Sequence, residues 1–354
     1  MTKNIDLLSP ECALTELGAG TRLRSNFEIT KILGGGKASL VYLAHDHALG
    51  REVVIKEYLP VGLAYRDRTQ INILPDKREL FQRGLERFFA EANVMTRFVC
   101  GILRGVLECF KENGTAYIVM PFYPGVTLRQ KVRDNWRAKD LFELFGIIFP
   151  LLEGVSILHN SGYLHLDISP DNVLFRGHDA PLLLDFGAAS QSGRGAKQIE
   201  DRPLIELAPG FAAKEQYETN GELGAWTDIY AISALTYYII TGVIPEVSFS
   251  RIVYDPLKPL ASYCTDEFPA SVLLVFDKGL TIEPETRFRD IVSLTQELQH
   301  AVRSVMAQSR NPVISGMLTT DAAVLSVPQR ERSVLRASWE LREQLRLHAE
   351  RDGT

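Results

Sequence analysis

The hydrophobic pattern of the chain changes near residue 125. Four alternating or β-branched runs before this point predict strands, and one stretch with apolar side chains at helical spacing predicts a helix: 27–33, 40–44, 51–56 and 115–120, with the helix at 80–95. Two long apolar stretches after it, 141–159 and 228–241, predict buried helices. We therefore expect an α+β fold, with a strand-rich part followed by a helical part.

Composition and charge exclude several classes of protein. A chain of 354 residues with 45% apolar and 23% charged residues is typical of a globular protein with a substantial core. A net charge of −5 argues against a nucleic-acid partner, which would need a basic face. Neither the start of the chain nor the longest uncharged run, 229–245, has the apolar pattern of a membrane segment. We therefore expect no membrane insertion, and four cysteines without a CxxC pair favour a reducing, cytoplasmic compartment.

Three features of the strand-rich part carry chemistry only in combination. The turn Gly34-Gly35-Gly36 lets backbone N–H groups approach a phosphate, although a plain hairpin explains it equally well. Lys56 ends an apolar strand, where a charge is usually kept in water. Glu91 lies in the predicted helix, where a single acid usually faces solvent. None of the three identifies a site by itself.

Two segments of the helical part supply oxygen ligands. A loop with a proline places Asp167 and Asn172 close in sequence, and Asp185 ends an apolar strand just before Phe186-Gly187. Each of these residues has an ordinary alternative as a cap of local backbone. Asn172 and Asp185 together suit Mg²⁺, which prefers one or two carboxylates along with phosphate oxygens and water. Asp167 is then the group that can orient an alcohol and accept its proton.

With these motifs the chain resembles the bacterial eukaryotic-like Ser/Thr protein kinases from residue 27 to about residue 305. The resemblance rests on landmarks that occur in the same order as in the family: Gly34, Gly36, Ser39, Val41, Lys56, Glu91, His165, Asp167, Asn172 and Asp185-Phe186-Gly187. Residues 210–217 resemble the end of an activation segment, and Arg287 is expected to pair with Glu215.

The resemblance implies a two-lobed protein-kinase-like fold. The N-lobe, an antiparallel sheet with one main helix, is expected at 27–120, and the mostly helical C-lobe at 121–305. Residues 1–26 are predicted to form an N-terminal extension, and residues 306–354 a tail with a charged helix. That helix either lies solvated against the body or binds a partner protein.

The resemblance also implies an activity, namely ATP- and Mg²⁺-dependent phosphorylation of a Ser or Thr hydroxyl in a protein whose identity the sequence leaves unknown. Asp167 would act on the hydroxyl, and Lys56, held by Glu91, would bind the α- and β-phosphates. Asn172 and Asp185 would hold the metal. The implied nucleotide contacts are Leu33, Gly34, Gly35, Gly36, Ser39, Val41, Val54, Lys56, Met120, Phe122 and Leu174.

Three departures from the family bear on regulation and acceptor preference. Leu166 stands where an arginine usually binds an activation-segment phosphate, and leucine cannot form that ion pair. The only hydroxyl side chains between Asp185 and Glu215 are two serines, Ser190 and Ser192. We therefore hypothesise that activity does not require phosphorylation of this segment. Ser169 and Ala208 replace the usual lysine and threonine, which leaves the preferred acceptor open.

Three alternative functions remain. A pseudokinase would bind nucleotide and act as a scaffold, but every expected polar catalytic position is filled. A kinase-like small-molecule phosphotransferase would not be expected to have the pairing of Glu215 with Arg287. A binding module would use the C-terminal helix to recruit its partner, and removal of the tail would separate that role from catalysis.

Overall fold

The computed structural model describes residues 16–95, 105–177, 181–184, 190–191, 207–263 and 265–308. For residues 91, 93–95, 190–191 and 306–308 it describes the backbone only. The contacts divide the chain into two compact units, with one boundary between Pro124 and Gly125. Among the described residues, the first unit comprises those up to Pro124 and the second those from Gly125 onward.

The first unit contains a six-stranded antiparallel sheet with the strand order β1-β2-β3-β4-β8-β7. The four predicted strands are all present. The strands are β1 (Arg22–Leu23), β2 (Phe27–Gly35), β3 (Ser39–Asp46), β4 (Arg51–Tyr58), β7 (Glu108–Glu112) and β8 (Thr115–Pro121). Helix α1 (Arg78–Met95) corresponds to the predicted helix and begins two residues earlier than expected. Strand β1 lies in the predicted N-terminal extension and pairs with β2.

A separate hairpin connects β4 to α1. Its strands β5 (Ala64–Asp67) and β6 (Gln70–Ile73) pair with each other in an antiparallel register. The hairpin meets the turn between β7 and β8, where the Ile71 N–H donates to the carbonyl of Asn113 at 2.8 Å. The adjacent Gly114 has a φ of +77°, and a Cβ there would come within 3.0 Å of the Ile71 carbonyl oxygen. The sequence pattern did not predict this hairpin.

The second unit is mostly helical, which completes the α+β class predicted from the sequence. Its helices are α2 (Leu128–Arg133), α3 (Leu141–Asn160), α4 (Lys214–Tyr217), α5 (Ala225–Thr241), α6 (Ala270–Gly279) and α7 (Ile291–Gln308). Its short strands are β9 (Val126–Thr127), β10 (Tyr163–Leu164), β11 (Val173–Phe175), β12 (Leu182–Leu183) and β13 (Ser190–Gln191). They form two small sheets, β12-β11-β9 and β10-β13.

Helices α3 and α5 form the core of the second unit, as their apolar sequences predict. Asp140 caps α3 by accepting a hydrogen bond from the Glu143 N–H at 2.8 Å. Helix α5 ends at Gly242, whose φ of 74° is the left-handed conformation common after a helix. Of the described helices, α3 alone is long and apolar enough to cross a bilayer, and 72% of its most apolar window is buried inside the protein.

Candidate active site

Four of the predicted nucleotide contacts of the first unit lie on one face of its sheet. In the register, Lys56 lies opposite Val41, and Val54 lies opposite Met120. Residues directly opposite each other in antiparallel strands share a face, as do alternate residues along a strand. These four residues are half-buried, whereas Val53, Ile55 and Glu57 on the other face of β4 are fully buried. The sheet therefore places Lys56 among apolar side chains on its more open face.

The glycine-rich turn forms a tight connection between β2 and β3. The Gly36 N–H donates to the carbonyl of Ser39 at 2.9 Å. A Cβ on Gly35 would lie 2.7 Å from a Leu40 methyl carbon, so the Leu40 side chain would have to shift to accommodate it. Leu33, which leads into the turn, is 45% exposed. The geometry agrees with a plain hairpin, and the predicted phosphate contact stays a prediction.

The predicted catalytic loop of the second unit is held by the carboxylate of Asp228, near the start of α5. One oxygen accepts hydrogen bonds from the His165 N–H at 2.8 Å and from His159 Nε2 at 2.7 Å. The other oxygen accepts from the Leu166 N–H at 2.8 Å. Burial opposes the charge of Asp228, but these donors outweigh it and hold the pKa of the carboxyl below its usual range. A buried carboxylate thereby fixes two consecutive peptide groups.

Asn172 positions the side chain of Asp167. Its Nδ2 donates to the Asp167 carbonyl at 2.8 Å and to Asp167 Oδ2 at 2.9 Å. The Asp167 N–H in turn lies 3.3 Å from His165 Nδ1. The structure therefore brings together three of the residues in the predicted catalytic loop.

The side chain of Asn172 offers an oxygen atom of the kind that binds a hard cation. Its amide nitrogen faces two acceptor oxygens, which fixes the orientation of the amide, and the described hydrogen bonds leave Oδ1 as an oxygen ligand. The Asn172 carbonyl accepts from the Leu184 N–H at 2.7 Å. Leu184 immediately precedes the predicted metal ligand Asp185 in the sequence. Asp185 itself lies outside the described residues.

The remaining predicted site residues have varied positions. Glu91 lies in α1, and its side chain is outside the described set. Phe122 follows the last residue of β8 and is half-buried. Leu174 lies in β11 opposite Thr127 of β9, and only 7% of it is exposed.

The predicted pairing of Glu215 with Arg287 is present as a buried bidentate ion pair. Arg287 Nη1 and Nη2 donate to the two carboxylate oxygens of Glu215 at 2.8 and 3.2 Å. Thr227 Oγ1 donates to the same carboxylate at 2.9 Å. The side chains of the ion pair are 0% and 1% exposed. The pair holds α4, which ends the predicted activation segment.

Sequence reasoning did not identify three contacts of this unit that involve the predicted catalytic loop. Asp228 could have been found, because a single acid in the apolar run of α5 signals a buried carboxylate with a specific partner. Arg129 Nε donates to Asp171 at 2.7 Å, and Gln216 Nε2 donates to the Leu166 carbonyl at 2.8 Å. Neither contact could be read from the sequence, although Gln216 belongs to the segment 210–217 that resembles the end of an activation segment.

Comparisons with known proteins identify similar sequences and a similar fold. Residues 27–254 match the family described as protein kinase domain. The serine/threonine-protein kinase PknD of Chlamydia trachomatis is 26% identical over 310 residues, which cover 77% of this chain and 31% of that protein. PknA of Nostoc is 24% identical, with 80% of this chain and 48% of that protein covered. The solved structure titled "PpkA-294 apo form" is 35% identical with a TM-score of 0.67, and the match covers 80% of this chain and 99% of that chain.

These matches confirm both the resemblance to bacterial eukaryotic-like Ser/Thr kinases and the predicted kinase fold. The chain spans about a third of the length of the first curated relatives that it matches.

Proposed function

This chain belongs to the protein kinase domain family, and we propose that it transfers the γ-phosphoryl group of ATP to a Ser or Thr hydroxyl of a protein. One observation carries the proposal: the side chain and backbone carbonyl of Asp167 are both fixed by Asn172, on a loop whose peptide groups bind the buried Asp228. A carboxylate held in this way is positioned to orient one hydroxyl. The acceptor protein is unknown.

Asp167 would accept a hydrogen bond from the incoming hydroxyl and take its proton as the hydroxyl oxygen bonds to the γ-phosphorus. The bond from that phosphorus to the β–γ bridging oxygen breaks, and ADP leaves. The hydrogen bond from Asn172 Nδ2 to Asp167 Oδ2 restricts rotation of the carboxylate. Positioning matters more than covalent chemistry in phosphoryl transfer, since the transition state is stabilised mainly by orientation and charge.

Nucleotide contacts are proposed for residues of the first unit, and metal ligands for residues of the second. Lys56 would bind the α- and β-phosphates, and the half-buried apolar side chains that share its sheet face would contact the adenine. Asn172 Oδ1 and the Asp185 carboxylate would hold Mg²⁺, and the bound ion would supply positive charge against the phosphates. We place the protein in the cytoplasm, without a nucleic-acid partner or membrane insertion. The tail that would bind a partner lies outside the described residues.

Radiolabelled ATP tests the proposal. Purified protein is incubated with γ-labelled ATP and Mg²⁺ beside Asp167→Asn and Lys56→Met variants, and labelled residues are located by mass spectrometry. Label on Ser or Thr in the wild type, with loss of about a hundredfold or more in both variants, is the expected result. A wild type that binds nucleotide without transfer would identify a pseudokinase. Equal labelling in all three proteins would refute the assigned roles.

Activity is also proposed to be independent of activation-segment phosphorylation. Leu166 offers no cation for a phosphate, and Ser190 and Ser192 are the only hydroxyl side chains between Asp185 and Glu215. The double variant Ser190→Ala/Ser192→Ala should retain kcat within about twofold of wild type, because there is no charge-paired phosphate to lose. A loss of transfer in this variant would contradict the hypothesis.

A further inference from the structure

The side chain of Gln216 connects the end of the predicted activation segment to the catalytic loop. Its Nε2 donates to the carbonyl oxygen of Leu166 at 2.8 Å. Its Oε1 accepts from the Ala213 N–H at 3.0 Å. Only 8% of the residue is exposed, so water competes weakly for these bonds.

The neighbours of the Gln216 amide determine its orientation. A backbone N–H lies against one end and a backbone carbonyl against the other. The amide must therefore present its oxygen to Ala213 and its nitrogen to Leu166, since the reversed orientation would break both bonds. A glutamate at this position could keep the first bond, but its carboxylate has no donor for the second.

Leu166 is an unusual residue for such a contact. Its φ of 65° lies in the left-handed region, which a leucine adopts only when its surroundings hold it there. Its N–H is bound by Asp228 and its carbonyl by Gln216, so both peptide groups that flank this strained residue are fixed. The next residue is Asp167, and the orientation of its carboxylate depends on the backbone that enters it.

Gln216 is itself held rigidly. It lies in the four-residue helix α4 beside Glu215, whose carboxylate forms the buried ion pair with Arg287. Arg287 also donates to the carbonyls of Thr281 and Ile282, at 2.7 and 2.6 Å. The end of the activation segment is thus attached to the helical core independently of any phosphate.

We propose that Gln216 is a positioning residue for phosphoryl transfer, which holds the backbone of the catalytic loop through Leu166 so that Asp167 is correctly oriented. This role rests on the proposed kinase function. Leu166 cannot connect the catalytic loop to the activation segment through a phosphate. Gln216 makes this connection through a neutral hydrogen bond instead. The link is present in the unmodified chain.

The variant Gln216→Glu tests this role while preserving the bond to Ala213. We expect kcat to fall about tenfold, because the buried Leu166 carbonyl then faces a carboxylate instead of a donor. The KM for ATP and the affinity for nucleotide should stay near wild-type values, since Gln216 is not placed at the nucleotide. Hydrogen exchange in a peptide spanning residues 163–172 should be faster in the variant.

Gln130→Glu is the matched control. Gln130 also accepts a hydrogen bond from the backbone N–H three residues earlier, at 2.9 Å, but it is exposed and the described hydrogen bonds give it no contact with the catalytic loop. Its substitution should leave kcat and the exchange of residues 163–172 unchanged.

The outcomes separate the two proposals. A Gln216→Glu protein with wild-type kcat and wild-type exchange overturns the positioning role, as does an equal loss in the Gln130→Glu control. A wild type without transfer activity overturns the kinase function instead, while the exchange measurement still decides whether Gln216 holds the loop.

Discussion

Each unit of the molecule contains a buried arginine–carboxylate pair, and the two pairs are built differently. In the first unit, Arg66 of the β5–β6 hairpin pairs with Glu57 of β4, and the side chains are 1% and 0% exposed. In the second unit, Arg287 pairs with Glu215 at equal burial. Burial alone therefore does not distinguish them.

The difference lies in how completely each carboxylate is hydrogen-bonded. Both oxygens of Glu215 accept from Arg287, and Thr227 adds a third donor. Glu57 accepts from Arg66 and from Tyr42 through the same oxygen, while its Oε1 has no hydrogen-bond partner among the described residues. A buried ion pair offsets its desolvation only with good geometry and further hydrogen bonds. The second pair meets that condition better than the first.

The largest effect is expected from Arg287→Met. This change leaves Glu215 buried without its cation and removes donors to the carbonyls of Thr281, Ile282 and Trp226. The free energy of unfolding should fall by about 3–5 kcal/mol. Urea unfolding followed by tryptophan fluorescence measures it, because Trp136 and Trp226 both lie in the second unit.

The neighbouring pair of Lys214 and Glu283 provides the control. Glu283 is 56% exposed, so Lys214→Met should cost about 1 kcal/mol or less. The double variant Glu215→Leu/Arg287→Met should recover part of the loss, since it removes the unpaired buried charge. A single variant as stable as wild type would show that the bidentate pair contributes little to stability.

A smaller fall in the free energy of unfolding, about 2–3 kcal/mol, is expected from Arg66→Met. The variant also buries an unpaired carboxylate, but Tyr42 still donates to Glu57, and the two-stranded hairpin can open locally to let water reach it. Hydrogen exchange is the suitable measurement, because the described tryptophans lie outside this unit. Faster exchange should be confined to the hairpin and the adjacent part of β4.

If Arg66→Met lowers the free energy of unfolding as much as Arg287→Met or more, the expected order of the two ion pairs is wrong. It would mean that an incompletely hydrogen-bonded carboxylate contributes as much to stability as a fully bonded one. Tyr65→Ala in the same hairpin, at a side chain that is half exposed, controls for general weakening of the strand.

The second pair could be predicted from the sequence and the first could not. Glu215 and Arg287 were identified because they occupy landmark positions of a known family. In β5 the observed burial is the reverse of what polarity suggests. Tyr65 is 48% exposed, whereas the Arg66 side chain is buried. An alternating pattern read from polarity places the tyrosine inside and the arginine outside, so the hairpin and its ion pair were both missed.

Residues of the candidate site also differ in whether the sequence alone could predict them. Asp167 and Asn172 were predictable because their spacing and residue types fit one chemistry, and the structure brings them within hydrogen-bond distance. Gln216 was not, because its role depends on the carbonyl of Leu166, and every residue has a carbonyl. The roles of Glu91 and Asp185 stay predictions, since their side chains lie outside the described residues.

The smallest effects are expected from two matched hydroxyl deletions, Tyr42→Phe and Thr227→Val. Each hydroxyl donates to its carboxylate at 2.9 Å and accepts from a backbone N–H at 3.2 Å. Tyr42→Phe should lower the free energy of unfolding by about 2 kcal/mol. Thr227→Val should lower it by only about 1 kcal/mol, because Glu215 keeps two hydrogen bonds from Arg287. Hydrogen exchange of backbone amides in β3 measures the effect of Tyr42→Phe, and exchange in α5 measures the effect of Thr227→Val.

The pH dependence of the Tyr42→Phe effect distinguishes a buried hydroxyl from a simple packing change. Burial, together with the charge of Glu57, raises the pKa of Tyr42 above its usual value of 10.0. The unfolded chain then ionises at a lower pH than the folded protein, so the contribution of Tyr42 is fully present below pH 10 and is lost as pH rises towards the folded-state pKa. The stability difference between wild type and Tyr42→Phe should therefore shrink above pH 10. A difference that stays constant there would mean that the hydroxyl ionises equally easily in both states, and that Glu57 does not depend on it as a donor.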